Sequence, residues 1–372
     1  MADNQLKYYS ENWYDATDKF TKMANSCGAN LLWCQHPNSE FNIPYTSVGN
    51  GPNNIVINSG VHGLEGYFGS AAQLLFLDKF AQKIPDKILA NYKISLIHCI
   101  NGWGMQHRMR EVSDNTNGGL VDLNRNFGID FSNPEHLPQN EKYKLTHDLL
   151  VNTPGGHDKL QKIITFYRAN KDNGVWDSIK NGQYYEPYGL FYGGNCTTDE
   201  AKMTLQIYDN IIGDNAKSLI SIGLHTGLGH FYRKQGKTTC SLLVSHPKAH
   251  NKTQKFDDIV QGTITVVPDE DAINGPVLQG DLVDCLEQRY KHIPTYTADI
   301  EIGTGEYPKL SPILKRMDMG DARYDLIHNG KINAETFRHL TESWYPSDPG
   351  WRNAALQHAE TLFNALIKYM QK

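Results

Sequence analysis

Cysteine is scarce in this sequence, and so are long apolar runs. Six cysteines stand among 372 residues and none forms a C-x-x-C pair, which speaks against a thiolate-held zinc site. In a chain this long their even number does not imply disulfides, so free thiols in a reducing compartment are expected. No stretch approaches the ~20 apolar residues that a transmembrane helix needs. The opening MADNQLKYYSENWYD has no basic n-region and no apolar h-region, so a cytoplasmic protein is expected. Basic residues are short as well: 36 Lys and Arg against 41 Asp and Glu give a net charge of −5. A dedicated nucleic-acid binder usually carries a basic footprint, so neither nucleic acid nor membrane is an expected partner. Internal repeats and low-complexity tracts are absent. So are the G-x-S-x-G elbow of serine hydrolases and the H-E-x-x-H motif of zincins.

What remains is an ordinary globular composition, 39% hydrophobic and 21% charged, in a chain long enough to bury a sizeable core. Residues 8–25 set Tyr9, Trp13, Phe20 and Met23 at helical spacing, which predicts an amphipathic helix. NIVINS (54–59) is a β-branched run ending at Gly60 and reads as a buried strand. A helix over 66–82 and a strand over 93–99 follow, and strand–helix–strand at that spacing suggests a parallel βαβ unit. Residues 111–200 are rich in Asn, Gly, Pro and Tyr and read as loop around a helix at 157–169. Loops this long inside a compact domain are usually functional. A helix is expected at 199–213, strands at 218–223, 239–245 and 295–302, and a periodic helix at 350–371. No composition shift marks a linker, so residues 1–372 read as one catalytic domain. Nothing in the sequence fixes the oligomeric state.

Four segments carry chemistry, each at a predicted strand end or on a turn. In Gly60-Val61-His62-Gly63-Leu64-Glu65-Gly66, a His and a Glu three residues apart on a glycine-flanked turn can reach one metal ion. H-x-x-E by itself recurs by chance, and His339-Leu340-Thr341-Glu342 is an internal control. That second copy has no preceding strand and no glycines, and reads as a surface helix pair. The second segment is Val121-Asp122-Leu123-Asn124-Arg125-Asn126-Phe127. Arg125 can fork onto a carboxylate, Asn124 can bond the same group, and Asp122 can accept the second N–H of His62. The alternative is a turn with a surface Arg. In the third, the strand 218–223 ends on His225 between Gly223 and Gly227, which as a third ligand completes a His₂Glu set with one position open. In the fourth, Asp299-Ile300-Glu301-Ile302-Gly303, a Glu at the end of an apolar strand is costly unless paired or functional. Glu301 can move a proton between water and a leaving amine. Asp299 and Glu306 are rivals for that role.

In this order the four segments resemble the zinc carboxypeptidase superfamily: its H-x-x-E metal motif, its D-x-N-R substrate motif, its strand-borne third His and its strand-borne catalytic Glu. Within it, the chain is most similar to a bacterial branch catalogued as a domain of unknown function. That similarity rests on GVHGLEG, VDLNRNF, GQYYEPYGLFYGGN (182–195) and HTGLG (225–229), and it covers nearly the whole chain. The resemblance implies an α/β, phosphorylase/hydrolase-like three-layer fold, with a twisted, mixed, mostly parallel sheet flanked by helices. It implies one zinc ion on His62, Glu65 and His225, and Glu301 as general base and acid. Asn124 and Arg125 would hold the substrate carboxylate. Of Arg108 and Arg110, Arg110 is preferred by spacing as the oxyanion Arg, with Arg108 a further substrate-binding candidate. The superfamily's substrate-capping Tyr has no assigned counterpart. The substrate would be a peptide with a free carboxylate. N-acyl amino acid hydrolases of the desuccinylase and aspartoacylase type share the G-x-H-G-x-E opening and would differ only in substrate. A non-catalytic binding module on the same scaffold is a third possibility, against which the intact ligand set and Glu301 stand.

Overall fold

The computed structural model describes residues 5–137, 139–244, 250–268, 279–307 and 310–372. Eleven strands are found among them: β1 Asn30–Cys34, β2 Ile43–Val48, β3 Asn53–Ser59, β4 Tyr92–Ile97, β5 Val112–Asp114, β6 Gly119–Val121, β7 Ser218–Tyr232, β8 Lys237–Thr238, β9 Cys240–Val244, β10 Thr265–Pro268 and β11 Thr295–Gly305. Helices of eight residues or more are α1 Trp13–Ser26, α2 Gly66–Lys79, α3 Glu141–Leu150, α4 His157–Asn170, α5 Asp199–Ile212, α6 His250–Val260, α7 Leu282–Arg289, α8 Ser311–Asn329, α9 Ala334–Trp344 and α10 Pro349–Met370.

Local chemistry sets the boundaries. The opening helix begins at Trp13 rather than at 8, because the Asn12 side chain accepts from the Asp15 N–H and caps it there. Its buried face is Trp13, Ala16, Thr17, Phe20 and Ala24, the 3–4 spacing of an amphipathic helix. The expected strand at 218–223 runs nine residues further, through glycines 227 and 229, and ends at Tyr232. Ser245, the last residue of another expected strand, lies outside the described residues. In the stretch read as loop, α3 is capped by Asn140 and buries Tyr143 and Leu150.

The main sheet has the order β1-β2-β4-β3-β7-β11-β9-β10, with β8 paired to β7. The central strands β4, β3, β7 and β11 are mutually parallel, while β1–β2, β2–β4 and β11–β9 pairs are antiparallel. Because side chains alternate across a strand, β3 feeds two cores. Ile55 and Ile57 join Phe20, Phe68 and Trp351 on one face, and Val56 joins Ala201, Tyr208 and Leu286 on the other. Burial on both faces is why NIVINS reads as a continuous apolar run rather than an alternating one. Helices thus cover both sides of a mixed sheet, the architecture expected from the sequence. No described helix is long and apolar enough to cross a membrane.

The parallel strands deliver the C-terminal ends of β3, β7 and β11 to one edge of the sheet, where open α/β sheets hold their ligands. Helix α10 backs this edge. Its Trp351 is fully buried against Phe68 and Tyr345, and donates from Nε1 to the carbonyl of Gly303 at 2.8 Å, two residues beyond Glu301. Replacing Trp351 with Ala leaves a cavity and an unpaired carbonyl. The expected cost is about 3–5 kcal/mol, read as a lowered urea midpoint; a change below about 1 kcal/mol would contradict this packing role.

Candidate functional site

The turn after β3 is built for close approach. Gly60 has φ +69, and a Cβ on Gly63 would sit 2.2 Å from the carbonyl carbon of Gly104. The turn is tied to the following loop by the Gly63 N–H to Arg110 O (3.0 Å) and the Leu64 N–H to Met109 O (2.9 Å). These bonds bring Arg110 beside His62 and set Glu65 at the entry to α2. His62, Glu65 and His225 are all buried, and one ligand atom from each lies within 4.8 Å of the others. His62 Nδ1 is 3.0 Å from Glu65 Oε1, and His225 Nδ1 is 3.0 Å from Glu65 Oε2. The two rings lie 4.9 Å apart, edge to face.

Each imidazole turns its other nitrogen to a carboxylate. His62 Nε2 is 3.2 Å from Asp122 Oδ1, and His225 Nε2 is 3.7 Å from Asp299 Oδ1. Asp299 fits because residue 223 is Gly: a Cβ there would lie 2.1 Å from Asp299 Oδ1. Arg110 bridges the same group, with Nη1 2.5 Å from Asp122 Oδ2 and Nη2 2.7 Å from His62 Nε2. The Nε2 atom can donate to Asp122 or accept from Arg110, so the His62 tautomer depends on that choice. Burial raises the Asp122 carboxyl, but Arg110 and His62 outweigh it and hold the group well below its ordinary range. Burial likewise lowers the His225 imidazole, but Asp299 and Glu65 lift it to about 10.

Glu301 sits directly opposite His225 in the β7–β11 register. Its half-buried carboxylate accepts the Leu228 N–H at 3.2 Å. Burial and the negative charge of Glu65 push it upwards, against the pull of His225. Asn124 and Arg125 follow Asp122 on one turn and are buried. Three of the five Arg125 N–H bonds go to backbone carbonyls: Nε and Nη2 to Lys180, Nη1 to Asn124. The 182–195 segment covers this turn. Tyr184 donates to Arg125 O at 2.7 Å, and the Phe191 ring lies 5.1 Å from the Arg110 guanidinium and 5.5 Å from that of Arg125. Arg108 goes elsewhere: it stacks on Tyr67 and donates to the Glu11 carbonyl. It therefore enters no part of the functional reading below. The second H-x-x-E lies on α9 with His339 exposed.

The family model described as "Protein of unknown function (DUF2817)" matches residues 9–358. The chain belongs to that family. No functionally curated protein is significantly similar to this DUF2817 chain in sequence. Among solved structures, it is similar to bovine thrombin-activatable fibrinolysis inhibitor bound to tick carboxypeptidase inhibitor. The TM-score is 0.52 and the identity 11%, covering 94% of this chain and 98% of that one. It is also similar to carboxypeptidase A of Helicoverpa armigera, with a TM-score of 0.50 and 10% identity, over 90% of this chain and 74% of that one. At such identities the likeness is one of fold: the DUF2817 chain has a carboxypeptidase-like fold.

The donor set suits a metal ion. His62 Nδ1 and Glu65 Oε1 are buried and face each other at 3.0 Å, yet neither makes a hydrogen bond. Buried polar atoms left without partners are costly, and an ion between them removes that cost. Two imidazoles and one carboxylate form a three-ligand set that leaves a fourth position open on zinc.

Sequence reading did not find the Asp299–His225 contact, although Asp299 and Glu301 share one strand face, and Gly223 inside a strand signals a close approach. Lys315 of α8 was also missed. Its Nζ is buried and donates to Thr304 Oγ1 at 2.6 Å and to the Gly227 carbonyl. Burial lowers it to about 8, with Glu301 and Glu65 opposing the shift. No local pattern signals a contact between a helix and strands so distant in sequence.

The expected outcome of equilibrium dialysis is one zinc per chain, with binding lost or weakened by about 10²-fold or more in His62→Ala, Glu65→Gln and His225→Ala. His339→Ala should bind like wild type. Equal zinc binding by all four variants would remove the triad as the metal site.

Proposed function

We propose that this DUF2817 protein is a zinc-dependent amide hydrolase of the carboxypeptidase type, cutting the amide bond next to a free carboxylate. The reading rests on one observation above the others: Glu301 pairs with His225 across β7 and β11, which sets a half-buried carboxylate beside the His62–Glu65–His225 cluster. Held by those three residues, a zinc ion supplies Lewis acidity to water and to the scissile carbonyl.

The protein's own groups do the rest. Glu301 takes a proton from the attacking water and returns it to the leaving nitrogen. An upward-shifted carboxyl is suited to that exchange, because it is a stronger base than an exposed one. Asp122 and Asp299 orient the two imidazoles from behind. Arg110 keeps an Nε–H without a hydrogen-bond partner, the donor available to charge developing on the carbonyl oxygen. Such a donor is often worth about 3–4 kcal/mol. Asn124 and the two remaining N–H bonds of Arg125 hold the substrate carboxylate, with Phe191 packed over the guanidinium.

Two comparisons test the reading. Glu301→Gln should keep its zinc and lose turnover by about 10²–10⁴-fold; wild-type turnover in that variant would remove Glu301 from the mechanism. In a screen of peptides and N-acyl amino acids, free-carboxylate peptides should be cut and their C-terminal amides spared. Preference for N-acyl amino acids over every peptide would reassign the substrate class.

A further inference from the structure

We propose that Lys315 is a positioning residue that holds the Gly227–Leu228 peptide so that its N–H faces Glu301. The inference rests on the reading of Glu301 as the proton-transferring carboxylate.

One peptide unit links the two groups. Its carbonyl, from Gly227, accepts the buried Lys315 ammonium. Its N–H, from Leu228, donates to Glu301 Oε2 at 3.2 Å. A peptide unit is planar, so fixing the oxygen fixes the direction of the N–H. The unit would otherwise be free to turn, because glycines lie at 227 and 229 with φ of +135 and +110, a region closed to most side chains.

The surroundings are built to keep the lysine there. A Cβ on Gly227 would strike the Trp344 ring at 2.6 Å, and Lys315 Nζ lies 4.7 Å from the centre of the same ring. Thr304 Oγ1 receives a second Lys315 N–H at 2.6 Å and donates to Ser343 O at 2.7 Å. Thr226 Oγ1 donates to Trp344 O at 2.6 Å. Helices α8 and α9 therefore clamp the ends of β7 and β11 just beyond His225 and Glu301. Among the described residues no carboxylate comes within ion-pair distance of Lys315. Burying an ammonium without one is expensive, so the contact is an unusual use of a lysine. A charged donor on the carbonyl also polarises the peptide and strengthens the hydrogen bond its N–H gives.

The test uses full-length, zinc-loaded protein carrying Lys315→Met or Lys315→Arg. Hydrogen exchange should show the Leu228 amide opening about tenfold faster or more in Lys315→Met, and nearer wild type in Lys315→Arg. On a free-carboxylate peptide from the screen above, kcat should fall by up to about 10²-fold with KM within about twofold, and the Arg variant should recover part of it. Adding Lys315→Met to Glu301→Gln should lower the rate no further, because the two act through one hydrogen bond. Wild-type exchange at Leu228 in Lys315→Met, or losses that multiply in the double variant, would overturn the proposal. Lys315→Gln carries the same readings if the Met variant does not fold. If no peptide is turned over by the wild type, the hydrolase reading fails, while exchange at Leu228 still decides the role of Lys315.

Discussion

Charge buried at the ends of β3, β7 and β11 is what the surrounding structure has to satisfy. Glu65, Asp122, Asp299 and Glu301 meet there, facing Arg110 and Lys315. Taken formally, four carboxylates against two cations leave two negative charges. Carboxylates in a low-dielectric setting are tolerated only when compensated, and a divalent ion on the His62, Glu65 and His225 atoms brings the sum to zero. The local architecture follows from that crowding. Gly223 clears space for Asp299, Gly63 lets the ligand turn press onto the Gly104 backbone, and Lys315 enters from a helix far away in sequence.

The same crowding separates what the sequence could reveal from what it could not. Strand-end signals work over a few residues, so β3, β7 and β11 and the ligands at their ends were legible: each is an apolar run closing on glycine. Two H-x-x-E pairs with identical spacing differ only in setting. His62 and Glu65 straddle a glycine turn between strand and helix, whereas His339 and Glu342 occupy consecutive turns of an exposed helix. The α3 helix was hidden because its ten residues carry modest amphipathicity inside an Asn- and Gly-rich stretch. Arg108 and Arg110 could not be parted by sequence, being two residues apart. The left-handed backbone at Arg108 (φ +53) separates them, sending one to Tyr67 and the other to Asp122. Lys315 lies in a helix of unremarkable pattern, and only tertiary packing reveals its contacts.

The roof over the Asn124–Arg125 turn is the part of the molecule most particular to this chain. Phe191 adopts a positive φ of 53, a conformation an aromatic residue takes only when its surroundings enforce it. That backbone sets its ring beside both Arg110 and Arg125, while Tyr184 pins the Arg125 carbonyl. In the functional reading above, the group that recognises the substrate carboxylate and the group that meets the developing oxyanion share one aromatic neighbour. Side-chain selectivity would then be set by what the roof admits rather than by the triad.

The most direct test of the account is X-ray absorption at the zinc edge on stoichiometrically loaded protein. The predicted shell is two imidazole nitrogens and carboxylate oxygen at about 2.0–2.2 Å with no sulfur, and a Glu65→Gln variant should lose the carboxylate contribution or the metal. A sulfur shell near 2.3 Å, or a spectrum unchanged in His225→Ala, would contradict it.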